Sequence, residues 1–242
     1  MLTPTIVILG NGNVATHLSE ALLNAGYSVL QLWKRGKALR DADLYFIAVS
    51  DDAIEEVANL IPEGKRFAHT SGSVDLPKGG VFYPLQTFSK QMDVDWKTIP
   101  ILIEAKDQQT EDCLLEIAKH ISDNVQLVDA EKRRLIHLAA VFACNFTNHL
   151  WALSEELLAE KNLSFDLLKP LIYQAVRKIE QHHPKDVQTG PAVRNDLKTL
   201  DIHRDILGNG KACLTQSRAR PAPTVLDIYT LLSKSIQDHG SH

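Results

Sequence analysis

The pattern of apolar and polar positions changes once along this chain, near residue 129. Before that point, short apolar runs alternate with stretches whose apolar residues recur at helical spacing. After it, every long pattern is helical. The pattern therefore predicts two domains, one of strands and helices over residues 1–129 and one all-helical domain over residues 130–242.

The apolar runs of the first half are almost uninterrupted, which is typical of strands buried on both faces of a parallel sheet. Strands are expected at residues 5–9, 28–33, 44–49, 66–69, 81–83, 99–105 and 125–128. Helices are expected between some of them, at residues 14–25, 54–61 and 111–122. The predicted fold class is α/β, with a mostly parallel sheet covered by helices.

Helices are also expected in the second half, at residues 131–160, 166–182, 192–207 and 225–236, with a loop at 208–223. The first of these is apolar almost all round, so we expect it to be buried. Its apolar stripe consists of Leu135, Leu138, Phe142, Phe146, Leu150, Leu153 and Leu157. A neighbouring face carries His137, Val141, Asn145, Asn148 and His149. Because buried polar side chains need partners, these face either another helix or a bound substrate.

Composition limits the classes of protein that fit. Hydrophobic residues make up 44% of 242 positions, enough for a folded core, and the net charge of −4 argues against a nucleic-acid partner held by bulk electrostatics. No apolar run approaches a membrane span. The first strand starts within a few residues, so no secretory signal is expected, and the three cysteines show no paired spacing. These features predict a cytoplasmic protein.

A glycine-rich turn, Gly10-Asn11-Gly12-Asn13-Val14-Ala15, lies directly between the first strand and the first helix. The first glycine permits the tight turn, the second lets the backbone approach a pyrophosphate, and Ala15 is small enough for helix–strand packing. The helix N-terminus offers unpaired N–H groups to the phosphates. The turn predicts a Rossmann-like dinucleotide-binding domain; the alternative is a glycine turn without a ligand.

The end of the second strand distinguishes NAD from NADP in such domains. Here the strand runs into Trp33-Lys34-Arg35, with no acid to bind the ribose hydroxyls of NAD. Lys34 and Arg35 either bind the 2′-phosphate of NADP or are ordinary solvated charges, and the missing acid favours NADP over NAD. Only residues 36–42 separate Arg35 from Asp43, so the usual second crossover helix and third strand are expected to be missing.

Loops later in the chain contain further candidate site residues. In Ser50-Asp51-Asp52 the two acids could suggest a metal, but the D-x-x-E pattern from Asp52 favours helix capping, so no metal is predicted. His69-Thr70-Ser71-Gly72-Ser73 is either a plain turn or a small-residue wall of the nicotinamide or substrate site. It lacks the G-x-S-x-G pattern, so a hydrolase that uses Ser71 and His69 ranks low.

Two more segments pose a similar choice. Residues 82–89 follow a strand and include Gln86. Residues 188–196 enter a helix, and they are either an ordinary helix start or a lip of the active site.

Taken together, the motifs resemble a known family. The segments that carry the resemblance are Gly10–Ala15, Ala48–Ile54, His69–Ser73, Tyr83–Ser89, His137–Leu150 and Thr189–Ala192, with Arg194, Asp196 and His203.

These segments are similar to proteins of domain-of-unknown-function family 2520, which are often labelled NADP- or deazaflavin-dependent oxidoreductases. The resemblance spans nearly the whole chain. It implies a Rossmann domain followed by a helical domain like that of 6-phosphogluconate dehydrogenase. Related pyrroline-5-carboxylate reductases and β-hydroxyacid dehydrogenases often dimerise through the helical domain, so the resemblance implies a homodimer.

The resemblance carries over to the catalytic residues only in part. β-Hydroxyacid dehydrogenases use a lysine and an asparagine one turn apart on the first helix of the second domain. Asn145 matches the asparagine, whereas Val141 stands at the position of the lysine. His137, one turn earlier on the same face, could serve as the general acid instead, because imidazole suits proton transfer near neutral pH.

The resulting hypothesis is an NADP-dependent oxidoreductase that transfers hydride between nicotinamide and a small carbonyl or imine substrate, with NAD or a deazaflavin less favoured. The alternative is a non-catalytic NADP-binding sensor or assembly protein that kept the fold. The expected catalytic residues are His137, Asn145 and Asn148. The expected coenzyme contacts are Gly10–Ala15, Lys34, Arg35, Val49, Ser50 and Ser71. The expected substrate contacts are Ser73, Gln86, Gly190, Arg194 and Asp196.

Overall fold

The computed structural model describes residues 3–209 and 224–239. The chain forms two compact units, and the division falls between Asn145 and Phe146. The loop expected at residues 208–223 lies outside the described residues except for its first two positions, which are helical. Within the described residues, no helix is both long and apolar enough to cross a membrane.

A seven-stranded sheet forms the first unit, and its strands match the predicted ones closely. In chain order they are β1 (Thr5–Leu9), β2 (Ser28–Trp33), β3 (Leu44–Ile47), β4 (Arg66–His69), β5 (Gly80–Pro84), β6 (Ile101–Ala105) and β7 (Val125–Leu127). In space the order is β2-β1-β3-β4-β5-β6-β7. All neighbours pair in parallel except β5 and β6, which pair antiparallel. The predicted mostly parallel α/β sheet is confirmed.

Hydrophobic layers cover both faces of this sheet, which explains the uninterrupted apolar runs. The helices of the first unit are α1 (Asn13–Asn24), α2 (Ile54–Ala58), α3 (Gln108–Ile121) and α4 (Ala130–Ala140). Ile6 and Ile8 of β1 pack into the layer that contains α1 and α3. Val7 and Leu9 point the other way, into the layer that contains α2. Because successive strand residues face opposite sides, both sets must be apolar.

The connection from β2 to β3 contains neither a helix nor a strand. The expected absence of the second crossover helix and third strand is therefore confirmed for this segment. As a result β2 is the edge of the sheet, with β1 between β2 and β3. From β1 the chain crosses to β2, which lies on one side of β1, and it then crosses back to β3, which lies on the other side. The carboxyl ends of β1 and β3 therefore form a topological switch point. In open α/β sheets, this is where ligands bind.

Helical residues continue without a break from Ala130 to Ala159, as the single predicted helix requires. They comprise α4, a π-helical segment at Val141–Phe146, and α5 (Thr147–Ala159). The expectation that the apolar stripe is buried is wrong for its first part, since Leu135 and Phe142 are 65% and 62% exposed, whereas Leu153 is buried. The α4 face that packs on the rest of the first unit is the polar one with Arg133 and His137. The leucines of α4 consequently face away from that packing surface.

The second unit continues with α6 (Lys169–Gln181), α7 (Leu197–Asn209) and α8 (Val225–His239). Helix α7 begins five residues later than predicted. Asp196 caps its N-terminus by accepting hydrogen bonds from the backbone N–H and hydroxyl of Thr199, at 3.1 and 2.8 Å. The all-helical character expected after residue 129 holds for the described residues, with helix α4 assigned to the first unit.

Candidate functional site

The glycine turn lies at the carboxyl ends of β1 and β3, where Gly10 has almost no space for a side chain. A Cβ at Gly10 would lie 2.1 Å from the carbonyl oxygen of Ala48, and its φ of +143° is strained for any other residue. The Gly10 N–H donates to the carbonyl of Trp33 at 3.1 Å. Gly10 therefore ties the ends of β1, β2 and β3 together.

Gly12 serves a different purpose, because a Cβ there would meet no atom within 4 Å. It is the N-cap of α1, and no side chain caps this helix terminus and no acid lies in its first turn. By contrast, the carboxylates of Asp107 and Asp129 cap α3 and α4. The first N–H groups of α1 therefore have no side-chain acceptor from a capping residue, and the dipole of a helix makes such a terminus favourable for an anion.

An open cavity of about 440 Å³ adjoins this helix terminus. Its volume is within the usual range for a small-molecule site. The residues that line it come from the turn and from the ends of several strands. They are Gly10, Asn11, Gly12, Asn13, Val14, Ala48, Val49, Ser50, Thr70, Gln86 and Phe88.

The cavity brings together several of the predicted coenzyme residues: five from the glycine turn, with Val49 and Ser50. Ala15 instead packs in the core with no exposed surface, as expected for the small residue of the motif. Gln86, predicted to contact substrate, lines the same cavity. Thr70 and Phe88 belong to loops that were candidates for this site but were not singled out individually. Ala48 was expected within a strand; it directly follows β3 and could have been inferred from that.

Helix α1 holds the loop that carries Gln86 and Phe88. The side-chain amide of Asn13 donates to the carbonyl of Phe88 at 2.8 Å, and Nε2 of His17 donates to the carbonyl of Ser89 at 2.8 Å. The ring of His17 also packs on that of Phe88, with centroids 5.3 Å apart. These contacts fix one wall of the cavity against the helix that would receive the phosphates.

A compact cationic turn follows β2. The N–H of Lys37 donates to the carbonyl of Lys34 at 3.1 Å, Gly36 has a φ of +83°, and Nε1 of Trp33 donates to the carbonyl of Lys37 at 2.6 Å. Arg35 pairs with Glu56 at 2.7 Å, both side chains being largely exposed. Among the described residues, Lys34 and Lys37 form no ion pair. The turn does not line the cavity itself, but the carbonyl of Trp33 is hydrogen-bonded to the N–H of Gly10.

The hydroxyls of Ser71 and Ser73 form hydrogen bonds with each other and with neighbouring groups. Ser73 donates a short hydrogen bond to the carboxylate of Asp51, so Ser71 must donate to Ser73, at 3.2 Å. The Ser71 oxygen also accepts from the N–H groups of Ser73 and Val74. The structure thus joins Asp51 to this loop, and no side chain caps α2 or the short 3₁₀ turn before it, contrary to the capping expected from Asp52.

His69 is buried, and its Nδ1 accepts from the backbone N–H of Ser71 at 3.2 Å. Burial, followed by the positive charge of Arg133, lowers the pKa of His69 to about 4, so its ring is neutral at neutral pH. The Ser71 hydroxyl is not bonded to this ring. The hydrolase alternative therefore lacks the nucleophile–base contact that it requires.

Helix α4 presents Arg133 and His137, one turn apart, to the same loop. Arg133 has no exposed surface; its Nε and one Nη contact a carboxylate oxygen of Glu104 at 3.3 and 3.2 Å. Its other Nη donates to the carbonyls of Gly72 and Ser71, at 3.0 and 3.4 Å. Arg133 was not among the predicted site residues, and its spacing of four residues from His137 was the available signal.

His137 is half-buried, and its Nδ1 is hydrogen-bonded to the hydroxyl of Tyr83 at 3.0 Å. A Cβ at Gly72 would lie 2.7 Å from that Nδ1 and 2.8 Å from the Tyr83 ring, so only glycine fits beside the pair. Asn145 and Asn148, the other predicted catalytic residues, have exposed side chains. In the second unit, Arg194 is exposed, Asp196 is the cap of α7, and Gly190 has a φ of +114°.

The parallel sheet, the glycine turn and the open helix terminus define a Rossmann-like fold of the nucleotide-binding class. The sequence pattern of the family described as domain of unknown function (DUF2520) matches residues 99–236. A Bacteroides fragilis protein provisionally named an NADP oxidoreductase has 37% identity over 98% of each chain, with a TM-score of 0.86. The chain belongs to the DUF2520 family.

More distant structures share the fold. A Thermotoga maritima protein has 21% identity over 97% of this chain and 98% of its own, with a TM-score of 0.69. An Aspergillus terreus imine reductase, solved with NADPH4 and dibenz[c,e]azepine, has 14% identity over 100% of this chain and 97% of its own, with a TM-score of 0.55. No curated protein matches the chain in sequence.

Proposed function

We propose that this protein is an NADP-dependent oxidoreductase that acts on a small carbonyl or imine substrate. The observation that carries the proposal is the uncapped, acid-free N-terminus of α1, which opens on a cavity of about 440 Å³. A helix start without competing acids is suited to a pyrophosphate. The name of the Bacteroides fragilis relative and the imine reductase activity of a structural neighbour support the same reaction class.

The residues present fit a dinucleotide. The backbone N–H groups after Gly12 would receive the pyrophosphate, since no side chain blocks or caps them. Val49, Ser50 and Thr70 would line the remainder of the coenzyme site. Bound NADPH would supply the hydride, and the protein would orient the reactants and supply a proton.

NADP is favoured over NAD by the turn after β2. Residues 33–40 include no acid, and Lys34 and Lys37 lie exposed beside the strand end that is bonded to Gly10. Two ammonium groups without ion pairs in the described residues are suited to a 2′-phosphate. Arg35 would add a third charge, although it is already paired with Glu56.

His137 remains the proposed proton donor because it is fixed beside the small-residue loop after β4. Asn145 and Asn148 are proposed to orient substrate, Ser71 to contact the coenzyme, and Ser73 and Gln86 to contact substrate. Gly190, Arg194 and Asp196 of the second unit are proposed to contribute to the substrate site. We also propose a cytoplasmic location, which is compatible with three cysteines that show no paired spacing.

Exposed apolar residues of α4 and of the π-helical segment after it support a homodimer. Leu135, Leu138 and Phe142 are each more than half exposed, an arrangement that costs solvation free energy in a lone chain. In α6, Leu171 and Ile179 are exposed as well. We propose that a second copy of the chain covers these helices.

A non-catalytic NADP-binding protein is the second candidate. It is favoured by Val141 at the place where β-hydroxyacid dehydrogenases have a lysine, and by the shortened connection after β2. Both candidates bind nucleotide, and they differ in whether substrate is reduced.

A thermal-shift titration with NADPH, NADH and a reduced deazaflavin tests both candidates. A ligand that binds the native state raises Tm by mass action. We expect the largest shift with NADPH. The absence of a shift with all three coenzymes at millimolar concentration would reject both candidates, and a shift without reduction of any carbonyl or imine probe would favour the second.

A further inference from the structure

Tyr83, at the end of β5, is paired with His137 of α4. The hydroxyl of Tyr83 and Nδ1 of His137 are 3.0 Å apart, and the two rings meet edge to face, with centroids 5.8 Å apart at 70°. The contact joins residues 54 positions apart in sequence. It therefore fixes a phenol and an imidazole together at one place in the first unit.

This place is the edge of the sheet at which the cavity lies. Tyr83 precedes Gln86 by three residues and Gly72 follows Thr70 by two, and both Gln86 and Thr70 line the cavity. Since β4 and β5 are parallel to β3, their carboxyl ends lie on the same edge as the glycine turn. The pair is thus within a few residues of the coenzyme site along two strands.

Neighbouring groups restrict how this pair can move. The backbone of Gly72 packs against both rings, so a Cβ at this position would have no room. Arg133, one turn before His137, is bonded to the carbonyls of Gly72 and Ser71 and to the carboxylate of Glu104. The buried guanidinium therefore holds both the helix and the loop that touch the pair.

The chemistry of the pair suits proton donation. Burial, and next the carboxylate of Asp51, raise the pKa of the Tyr83 hydroxyl, so it keeps its proton at neutral pH. Histidine is the side chain whose charge ordinarily changes in the neutral range. His137 is only partly buried, so a proton that it passes to Tyr83 can be replaced from solvent.

We propose that Tyr83 is a catalytic residue and that it and His137 form a two-residue proton relay for the reduction, with Arg133 as the residue that positions them. This inference rests on the oxidoreductase function proposed above. It assigns to Tyr83, rather than His137, the direct contact with the substrate heteroatom.

Reduction of the double bond needs one hydride, which bound NADPH would supply, and one proton. The substrate carbon gains the hydride, and the electron pair of its double bond to nitrogen or oxygen moves to that heteroatom. The heteroatom takes the Tyr83 proton, while the Tyr83 oxygen takes the Nδ1 proton of protonated His137. Tyr83 ends as it began, His137 ends neutral, and water returns one proton to it. Overall, one hydride and one proton reduce the double bond.

The test compares Tyr83→Phe with Tyr27→Phe in the full chain. Tyr27 is a matched control, because its hydroxyl is likewise hydrogen-bonded to Nδ1 of a histidine, His120 of α3. Neither Tyr27 nor His120 lines the cavity. The probe is dibenz[c,e]azepine with NADPH. The measurements are kcat, the Kd for NADPH, and the ¹⁵N resonances of the histidine rings in the NADPH-bound protein.

We expect Tyr83→Phe to lower kcat roughly 100-fold, the scale of a lost general acid, while the Kd for NADPH stays unchanged. It should move the ring resonances of His137 and of no other histidine, whereas Tyr27→Phe should move those of His120 and leave kcat unchanged. His137→Gln should lower kcat in the same way, and it provides a second reading if Tyr83→Phe folds poorly.

Turnover retained by Tyr83→Phe, or His137 resonances that do not respond to it, would overturn the relay while leaving the proposed function intact. A wild-type protein that binds no NADPH, or that reduces neither this imine nor any other carbonyl or imine probe, is a different result. It would reject the oxidoreductase function itself, and with it the reaction that the relay serves.

Discussion

Arg133 donates a hydrogen bond of 3.0 Å to the carbonyl oxygen of Gly72, and this contact joins α4 to the loop after β4. The guanidinium has no exposed surface, and its charge is balanced by Glu104 at 3.2 Å. A buried ion pair is costly to break on one side only, because the remaining charge stays desolvated.

We expect Arg133→Met to lower the free energy of unfolding by about 3–5 kcal/mol. The neighbouring Arg134→Met is the control, since Arg134 is exposed and should change stability by less than about 0.5 kcal/mol. Urea unfolding followed by circular dichroism measures both. Equal stabilities of the two variants would show that Arg133 does not hold this unit together.

The two glycines of the turn should respond oppositely to substitution. Gly12→Asp has space for its side chain and supplies a favoured N-cap, so stability should be unchanged or rise by about 1 kcal/mol. The new carboxylate would oppose a pyrophosphate at the helix N-terminus, and NADPH should bind more than roughly tenfold more weakly.

Gly10→Ala is the matched comparison within the same turn. Its Cβ would meet the carbonyl oxygen of Ala48 at 2.1 Å, so we expect a loss of at least about 2 kcal/mol in stability. Denaturant unfolding and a coenzyme titration of both variants separate folding from binding. Undiminished NADPH affinity in Gly12→Asp would exclude the helix terminus as the phosphate site.

These two glycines also show what the sequence can and cannot reveal. The motif and its strand–helix setting predicted that both positions need glycine, since the pattern is local. That Gly10 is required by the carbonyl of Ala48, directly after β3, is a tertiary fact that no local pattern contains.

Predictions on α4 failed for a related reason. Periodicity identified its apolar stripe correctly, but periodicity does not say which partner covers a stripe. The structure packs Arg133 and His137 inward and leaves Leu135 outward. A buried arginine runs against the ordinary preference of that residue for the surface, so composition gave no reason to select it.

The cationic turn after β2 should determine coenzyme preference. The double variant Lys34→Ala with Lys37→Ala should weaken NADPH binding by about 1–2 kcal/mol, roughly 10-fold, and leave NADH binding unchanged. Lys78→Ala, also exposed but on the loop before β5, is the control. Equal losses for both coenzymes would place the charges on the pyrophosphate, and no loss would make them ordinary surface charges.

His69 should make the protein less stable in mild acid. Its folded pKa of about 4 lies below the ordinary value near 6.5, so the unfolded chain binds this proton first. The contribution to stability is full above about pH 6.5 and is lost as pH falls toward 4, by about 3 kcal/mol. Unfolding free energies measured across that range test this.

The corresponding control is a solvent-exposed histidine. His69→Gln should flatten the pH dependence between about 6.5 and 4, whereas replacement of the exposed His182 by Gln should leave it as in the wild type. A pH profile of His69→Gln that is the same as that of the wild type would mean that other groups cause the acid sensitivity.

The exposed stripe of α4 should control the oligomeric state. Leu135 and Leu138 are 65% and 54% exposed, and covering each would contribute about 1–2 kcal/mol in a dimer. The double variant Leu135→Glu with Leu138→Glu should therefore shift the mass measured by light scattering from dimer to monomer, because two carboxylates per copy would be buried at the interface. Leu23→Glu is the matched control, since Leu23 is 53% exposed on α1, away from this stripe. A wild-type chain that is monomeric at micromolar concentration would reject the dimer, and a dimer that persists in the double variant would place the contact on other helices.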